Sequence, residues 1–118
     1  MRLTEVDFGA AQPVEGYGPG FFRIGGVAHE APLLVVPGQV LPWGGYDDTE
    51  ALLALAGHVD VVFIGTGGEI AHIPAPLRGA LEDSGLGVEA MDSPAACRTY
   101  NVLLSEQRRV ALAVLPVG

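Results

Sequence analysis

The chain has 118 residues, 49% of them hydrophobic, which corresponds to a single domain with a sizeable core. Acidic residues outnumber basic ones by 14 to 6, and the resulting net charge of −8 opposes binding to nucleic acid or to anionic lipid. Lysine is absent, which excludes Schiff-base and pyridoxal-phosphate chemistry and lysine-dependent phosphoryl transfer.

The compartment is indicated by three features of the sequence. Cys97 is the single cysteine, so internal disulfides and cysteine-based metal sites are excluded. No apolar run reaches the roughly 18 to 20 residues of a membrane span, and the first residues resemble neither a signal peptide nor a transit peptide. We therefore expect a cytoplasmic protein without a membrane span. The absence of lysine, with abundant Ala, Gly, Pro and Arg, is typical of a bacterial genome rich in G and C.

The N-terminal part is rich in glycine and proline. Residues 1–20 are predicted to form an extended lead-in, followed by a single domain at 21–118. Within that domain, Phe21 to Ile24 and Val27 to His29 flank the pair Gly25-Gly26. Two apolar runs separated by two glycines predict a β-hairpin, which we expect to add antiparallel strands to the main sheet.

A short strand is predicted at Leu33 to Val36, between two prolines, and a Gly/Pro loop follows at 38–46. This loop carries the single tryptophan, Trp43. An aromatic residue in such a loop is either packed onto the core as a lid or exposed as an anchor for a partner. We favour the lid.

The next element is a helix predicted at 48–57, because Asp47 and Glu50 have the spacing of a capping box and Gly57 ends the apolar pattern. After it, Val61 to Ile64 shows no polar alternation. A wholly apolar run of this length is typical of a strand covered on both faces, so this is predicted to be a central strand.

The C-terminal half alternates helices and strands. A second helix is predicted from Pro76 to Gly85, a strand from Gly87 to Met91, a helix from Ser93 to about Gln107 and a last strand from Val110 to Leu115. This order predicts an α/β fold with a mixed sheet.

The helix that begins near Ser93 is the best specified element. Ser93 followed by Pro94 combines an N-cap hydroxyl with the residue best tolerated at the first helical position. The alternative is that Asp92 is the cap and Ser93 the first residue of the helix. At roughly 100° per residue, Tyr100 and Leu103 face the core and Arg98 faces solvent.

One long run with two short motifs follows the pattern of a known family: Glu89-x-Met91-Asp92-Ser93-x-x-Ala96-x-Arg98-Thr99-Tyr100-Asn101-x-Leu103, Gly65-Thr66-Gly67 and Leu41-Pro42-Trp43. In these residues the chain resembles the Mth-type small-domain family, which includes a mitochondrial complex I assembly factor and adipogenesis-associated proteins. The resemblance implies a three-layer α/β domain with a mixed, roughly five-stranded sheet and helices on both sides. It implies no catalytic residue and no cofactor.

A candidate site follows from the predicted sheet. If the strands ending at Ile64 and Met91 are parallel neighbours, their carboxyl ends share the edge at which α/β sheets commonly bind ligands. Exposed N–H groups of the glycine turn and the helix start are suited to an anion. The alternative is a tight turn beside a capped helix, which we favour. The candidate binding residues are Gly65, Thr66, Gly67, Asp92, Ser93, Arg98 and Thr99.

Two other reactive side chains are weaker candidates. Cys97 lies one turn into a helix on its core side, with no histidine nearby in sequence, so core packing is favoured over nucleophilic chemistry. His29-Glu30 begins like a zinc-protease motif but lacks the second histidine, so no metal site is predicted.

Two functions remain open from the sequence. The favoured one is a non-enzymatic binding or assembly-accessory protein with a protein partner, because no set of nucleophile, base and orienting residue is recognisable. The alternative is a protein that binds a small molecule or anion, with or without catalytic activity, through Gly65 to Gly68 and the start of the Ser93 helix. Neither requires a cofactor.

Overall fold

The computed structural model describes residues 12–118, which form eight strands and three α-helices. The first three strands, β1 (Val14–Gly18), β2 (Phe21–Ile24) and β3 (Val27–Glu30), form a separate antiparallel sheet in that order. The hairpin turn between β2 and β3 is confirmed, with φ of 60° at Gly25 and 79° at Gly26, a backbone that glycine adopts without strain. The expectation that this hairpin joins the main sheet is wrong, because it pairs with β1 instead.

Strand β1 lies within the segment for which the sequence predicts a lead-in. Its pairing with β2, interrupted by an irregularity between Val14 and Gly16, places residues 14–18 in the folded domain. The first part of that lead-in, residues 1–11, lies outside the described residues.

The main sheet has five strands in the order β5-β4-β8-β6-β7. They are β4 (Leu33–Val36), β5 (Gln39–Pro42), β6 (Val61–Gly65), β7 (Gly87–Met91) and β8 (Val110–Val114). Strand β4 is antiparallel to β5 and β8, whereas β6 runs parallel to both β7 and β8. The predicted mixed five-stranded sheet is therefore confirmed.

The prediction of a loop at 38–46 is wrong for its first part, because residues Gln39–Pro42 form strand β5. Pro37 and Gly38 form the tight turn that joins β4 to β5, and Gly38 has a φ of 86°. Proline followed by glycine between two apolar runs is a hairpin signal, and it identifies β5 in retrospect.

The helices are α1 (Thr49–Leu53), α2 (Ala75–Asp83) and α3 (Ser93–Ser105), with a 3₁₀ turn at Gly45–Asp47. Helix α1 is shorter than predicted and its cap is different. Asp48, rather than Asp47, accepts from the Ala51 N–H at 3.3 Å. Its other carboxylate oxygen accepts from the Gly44 N–H at 3.0 Å, so one side chain fixes both the loop and the helix start.

Three layers result from the alternation of side chains along the central strands. Val110, Leu112 and Val114 of β8 face α3 and the three-stranded sheet, while Ala111 and Ala113 face the layer of α1 and α2. The predicted three-layer α/β domain, with helices on both sides of the sheet, is confirmed.

The three-stranded sheet is attached to α3 by Asn101. The Val14 N–H donates to Asn101 Oδ1 at 2.9 Å, and Asn101 Nδ2 donates to the Val14 carbonyl at 2.8 Å. This pair of bonds reproduces the pattern of a strand neighbour and covers part of the outer edge of β1.

Candidate functional site

The carboxyl ends of three parallel strands meet at one edge of the main sheet. Gly65, the last residue of β6, lies beside Met91 of β7 and Val114 of β8. The glycine turn therefore lies next to the start of α3, as the sequence predicts. We call this set of residues, Gly65, Gly67, Ser93 and Leu115, the carboxyl-edge latch.

Ser93 is the centre of the carboxyl-edge latch and has no exposed surface. Its hydroxyl accepts from the Gly67 N–H at 2.9 Å and donates to the Leu115 carbonyl at 2.8 Å. Its own N–H donates to the Gly67 carbonyl at 2.7 Å. One serine thus joins the ends of β6 and β8 to the first turn of α3, and all its hydrogen-bonding groups at this edge are engaged within the chain.

The prediction that Ser93 is the N-cap is wrong. Asp92 caps α3, and its Oδ1 accepts from the Ala95 N–H at 2.8 Å. Serine and aspartate are both strong N-cap residues, and here the buried partners of Ser93 decide between them. Ser93 is consequently the first residue of the helix.

The N-terminus of α3 has its donors satisfied by the chain itself. The Ser93 N–H is bonded to Gly67, Pro94 has no N–H, and the N–H groups of Ala95 and Ala96 donate to Asp92. An anion at this end of the helix would compete with these hydrogen bonds.

The two other residues of the glycine turn also have local roles. A Cβ atom on Gly65 would lie 2.6 Å from Ser93 Oγ and 2.8 Å from Val114 Cγ1, so only glycine fits. The Thr66 hydroxyl accepts from the Ala71 N–H at 3.1 Å and lies 2.6 Å from the Glu69 carbonyl. It therefore ties the turn to the following loop.

Arg98 and Thr99 lie further along α3 than the capping residues. Arg98 is exposed, as predicted, and lines a shallow depression with Glu15 and Tyr17 of β1. The Thr99 hydroxyl lies 3.5 Å from the sulfur of Met91. The structure thus brings Gly65, Thr66 and Gly67 together with Asp92 and Ser93, and it directs Arg98 to another surface.

The core side of α3 carries Cys97 and Tyr100, both buried as predicted. Burial raises the pKa of the Cys97 thiol from 9.0 to about 12, although the nearby Arg98 charge opposes this rise. Burial also raises the pKa of Tyr100. Leu103 is only partly buried, contrary to expectation, because Leu104 occupies the core position instead.

Trp43 is buried, with 4% of its surface exposed, and its indole N–H donates to the Asp48 carbonyl at 3.1 Å. Tyr46 packs edge-on against it, with ring centroids 6.2 Å apart. The favoured interpretation of Trp43 as a packed lid agrees with this geometry, which leaves the indole too little exposed surface to anchor a partner.

A second feature lies outside the predicted site. In the part of the chain that the structure describes, strand β7 is an edge of the main sheet, beside the exposed Ile70 and the guanidinium of Arg78. One residue of the sequence indicates that β7 is an edge strand. Glu89 is the single charged residue in β7, and an exposed edge strand accommodates such a residue readily.

The fold is that of a small α/β domain of the Mth938-like type. Over residues 14–115 the chain matches a family described as proteins of unknown function (DUF498/DUF598), and it belongs to that family. A protein of Rhodobacter capsulatus is 50% identical over 117 residues, which cover 99% of this chain and 94% of that protein.

The relatives also include a named assembly factor. NADH dehydrogenase [ubiquinone] 1 alpha subcomplex assembly factor 3 of Danio rerio is 31% identical over 98% of this chain and 71% of its own length. The predicted relationship to the Mth-type family is therefore confirmed.

Solved structures agree with this placement. A Bartonella henselae protein described as an outer membrane protein has a TM-score of 0.82 and 31% identity, covering 92% of this chain and 97% of its own. A Mth938-like domain of Bordetella pertussis has a TM-score of 0.75 and 29% identity, covering 91% and 87%. Between residues 12 and 118 of the present chain, no helix is both long and apolar enough to cross a membrane.

Proposed function

We propose that this chain is a non-catalytic accessory protein that acts by binding another protein. The observation that carries the proposal is the 31% identity to a named assembly factor over 98% of the chain. The resemblance extends through both sheets and all three helices, so it concerns the whole described domain and not a single motif.

The hydrogen bonds of the candidate binding residues support the proposal, because these groups are already bonded to other groups of the chain. The Gly67 N–H is bonded to Ser93, the first N–H groups of α3 are bonded to Asp92 and Gly67, and the Thr66 hydroxyl holds the following loop. Each of these residues stabilises the junction between strand and helix. Cys97 stays a neutral thiol at physiological pH because burial raises its pKa to about 12.

Charge indicates the kind of partner that suits this surface. The net charge of −8 favours association with a basic protein surface and opposes anionic surfaces. We expect the partner to present lysine or arginine residues toward this domain.

Co-purification from the native host tests the proposal. The tagged full chain is purified at physiological salt, and any recovered protein is produced separately and mixed with the purified chain. We expect one protein to be recovered in comparable amount and to bind again in the purified mixture. Recovery of no stable partner would contradict the proposal.

A melting screen separates this proposal from small-molecule or anion binding. The chain and its Asp92→Asn variant are heated with a panel of metabolites and inorganic phosphate. We expect no compound to raise the melting temperature of the wild type. A shift that Asp92→Asn removes would favour the small-molecule alternative, since asparagine retains the cap but not the charge.

A further inference from the structure

Among residues 12–118, strand β7 pairs on one side only, with β6, and its other side is an edge of the sheet. The Gly87 N–H and the Met91 carbonyl are hydrogen-bonded to the residues that flank β6, at 2.9 and 2.8 Å. Backbone groups alternate in direction along a strand, so Val88 and Ala90 direct their N–H and carbonyl groups outward.

Only some of the N–H and carbonyl groups that point outward from β7 are hydrogen-bonded. An Arg78 nitrogen donates to the Val88 carbonyl at 3.3 Å, from the side of α2. By the same alternation, the N–H and the carbonyl of Ala90 point away from β6, and no backbone hydrogen bond from a turn or loop within residues 12–118 reaches them. The centre of β7 therefore presents the backbone groups that a further strand requires.

A groove borders this edge on the face that carries α2. It has a volume of about 480 Å³ and is lined by Ile70, Ala71, His72 and Arg78 together with residues 88–90 of β7. Ile70 is 68% exposed, although it is a large aliphatic residue.

The opposite face carries an exposed apolar residue beside a charged one. Val102 of α3 is 56% exposed and borders a shallow depression of about 280 Å³ with Arg98, Thr99 and Leu103. The contact of Thr99 with the sulfur of Met91 places this strip of α3 beside β7. Exposed apolar residues therefore flank the β7 edge on both faces of the sheet.

We propose that the β7 edge accepts an extended segment of a partner protein as a sixth strand of the main sheet. The added strand directs alternate side chains toward Ile70 on one face and toward Val102 on the other. Opposite the exposed Glu89 it carries lysine or arginine, since opposite charges directly across a strand pair stabilise it. This inference rests on the proposed function and identifies the surface that performs it.

Charge also decides against a second copy of this chain as the occupant. Antiparallel pairing of β7 with β7 over all five residues would place Glu89 directly opposite the other Glu89. Like charges at that position are destabilising. A basic segment of another protein meets the same side chain favourably.

Two of the other strand edges in the described part of the chain, those of β1 and β5, are less suitable. The edge of β1 is irregular in its pairing and is held by the Asn101 side chain. Strand β5 ends in Pro42, which has no N–H. Strand β7 contains no proline and pairs with β6 in regular register throughout its length.

The probe for this inference is a library of random twelve-residue peptides displayed on phage and selected on the immobilised full chain. We expect the recovered peptides to carry apolar residues at successive positions, which serve both faces, and to contain lysine or arginine. Synthetic copies should bind about tenfold more weakly to Ala90→Pro, which removes the outward N–H of Ala90. On binding, the amide signals of Val88 and Ala90 should shift in the NMR spectrum.

Charge reversal at Glu89 provides a second test, which does not depend on whether Ala90→Pro folds. The Glu89→Arg variant should bind the basic peptides more weakly than wild type does. It should bind more tightly those copies in which lysine or arginine is replaced by glutamate. Glu106→Arg is the matched control, because it makes the same charge change at an exposed position in the C-cap of α3. It should leave the charge preference unchanged.

Failure to recover peptides of this pattern, or equal binding to wild type, Ala90→Pro and Glu89→Arg, would overturn the inference. A protein that co-purifies equally with wild type and Glu89→Arg would also overturn it, while the proposed function would stand. If wild type recovers no protein partner at all, the proposed function itself fails.

Discussion

The hydroxyl of Ser93 accepts a hydrogen bond from the N–H of Gly67 across 26 positions of sequence, at 2.9 Å and out of contact with solvent. The same hydroxyl donates to Leu115 at 2.8 Å. The bond between Gly67 and Ser93 joins the turn after the central strand β6 to the start of α3. Ser93 is therefore a tertiary connection rather than a helix cap.

Replacing Ser93 should be more damaging than replacing the cap residue. Ser93→Ala removes the partners of a buried N–H and of a carbonyl, which should lower the free energy of unfolding by about 2 to 4 kcal/mol. Asp92→Ala should lower it by about 1 kcal/mol, the usual loss for an N-cap. Urea denaturation of both variants measures the difference.

Ser93→Gly separates the two roles further. At an N-cap, glycine costs only a few tenths of a kcal/mol, whereas here it should cost at least as much as alanine. Near-equal stability of Ser93→Gly and wild type would show that the hydroxyl acts as an ordinary cap.

Gly65 should not tolerate a methyl group. Gly65→Ala places Cβ 2.6 Å from Ser93 Oγ and 2.8 Å from Val114 Cγ1, and overpacking of this kind costs about 1 to 3 kcal/mol or more. Gly79 is the matched control, since it lies within α2 with open space at its Cβ position. Gly79→Ala should raise stability by up to about 1 kcal/mol. Similar melting temperatures for the two variants would contradict the account.

Tyr100 should act through its ring and not through its hydroxyl. The hydroxyl is buried and has no hydrogen-bond partner within residues 12–118. Tyr100→Phe should therefore leave stability unchanged or raise it by about 1 kcal/mol, while Tyr100→Ala should lower it by about 3 to 5 kcal/mol. Denaturant midpoints measure both, and a clear loss in Tyr100→Phe would reveal a partner for the hydroxyl.

Cys97 should make stability decrease at alkaline pH. Its pKa is about 12 in the folded chain and near 9 when burial is lost, so the folded state retains the proton that the unfolded state releases. The free energy of unfolding should fall as the pH rises from about 9 toward 12. In Cys97→Ala this fall should be smaller, although Tyr100, whose pKa is also raised, contributes in the same direction. An identical pH profile in Cys97→Ala would contradict this assignment.

The central strands and α3 could be predicted because their signals are local. The apolar run at β6, the helix start after Met91 and the hairpin glycines each specify structure within a few residues. Strand β1 and the separation of the small sheet depend on pairing between distant segments. No local pattern indicates which strand pairs with the second side of β2.

The candidate site shows the same division. The sequence places Gly65 to Gly67 beside Ser93, because parallel strands bring their carboxyl ends together. The sequence does not reveal that Gly67 and Leu115 are the hydrogen-bond partners of the Ser93 hydroxyl, since Leu115 follows a strand that comes much later in the chain. The choice of Asp92 as the cap follows from that tertiary contact.

On the proposed function, this domain holds a partner protein through the β7 edge, while Asp92 at the start of α3 serves stability as a helix cap. The most direct measurement compares the amount of partner that co-purifies with wild type, Glu89→Arg and Asp92→Asn, each checked for folding by thermal denaturation. We predict that Glu89→Arg loses the partner without loss of stability and that Asp92→Asn retains it. Loss of the partner in Asp92→Asn and full retention in Glu89→Arg would contradict the claim.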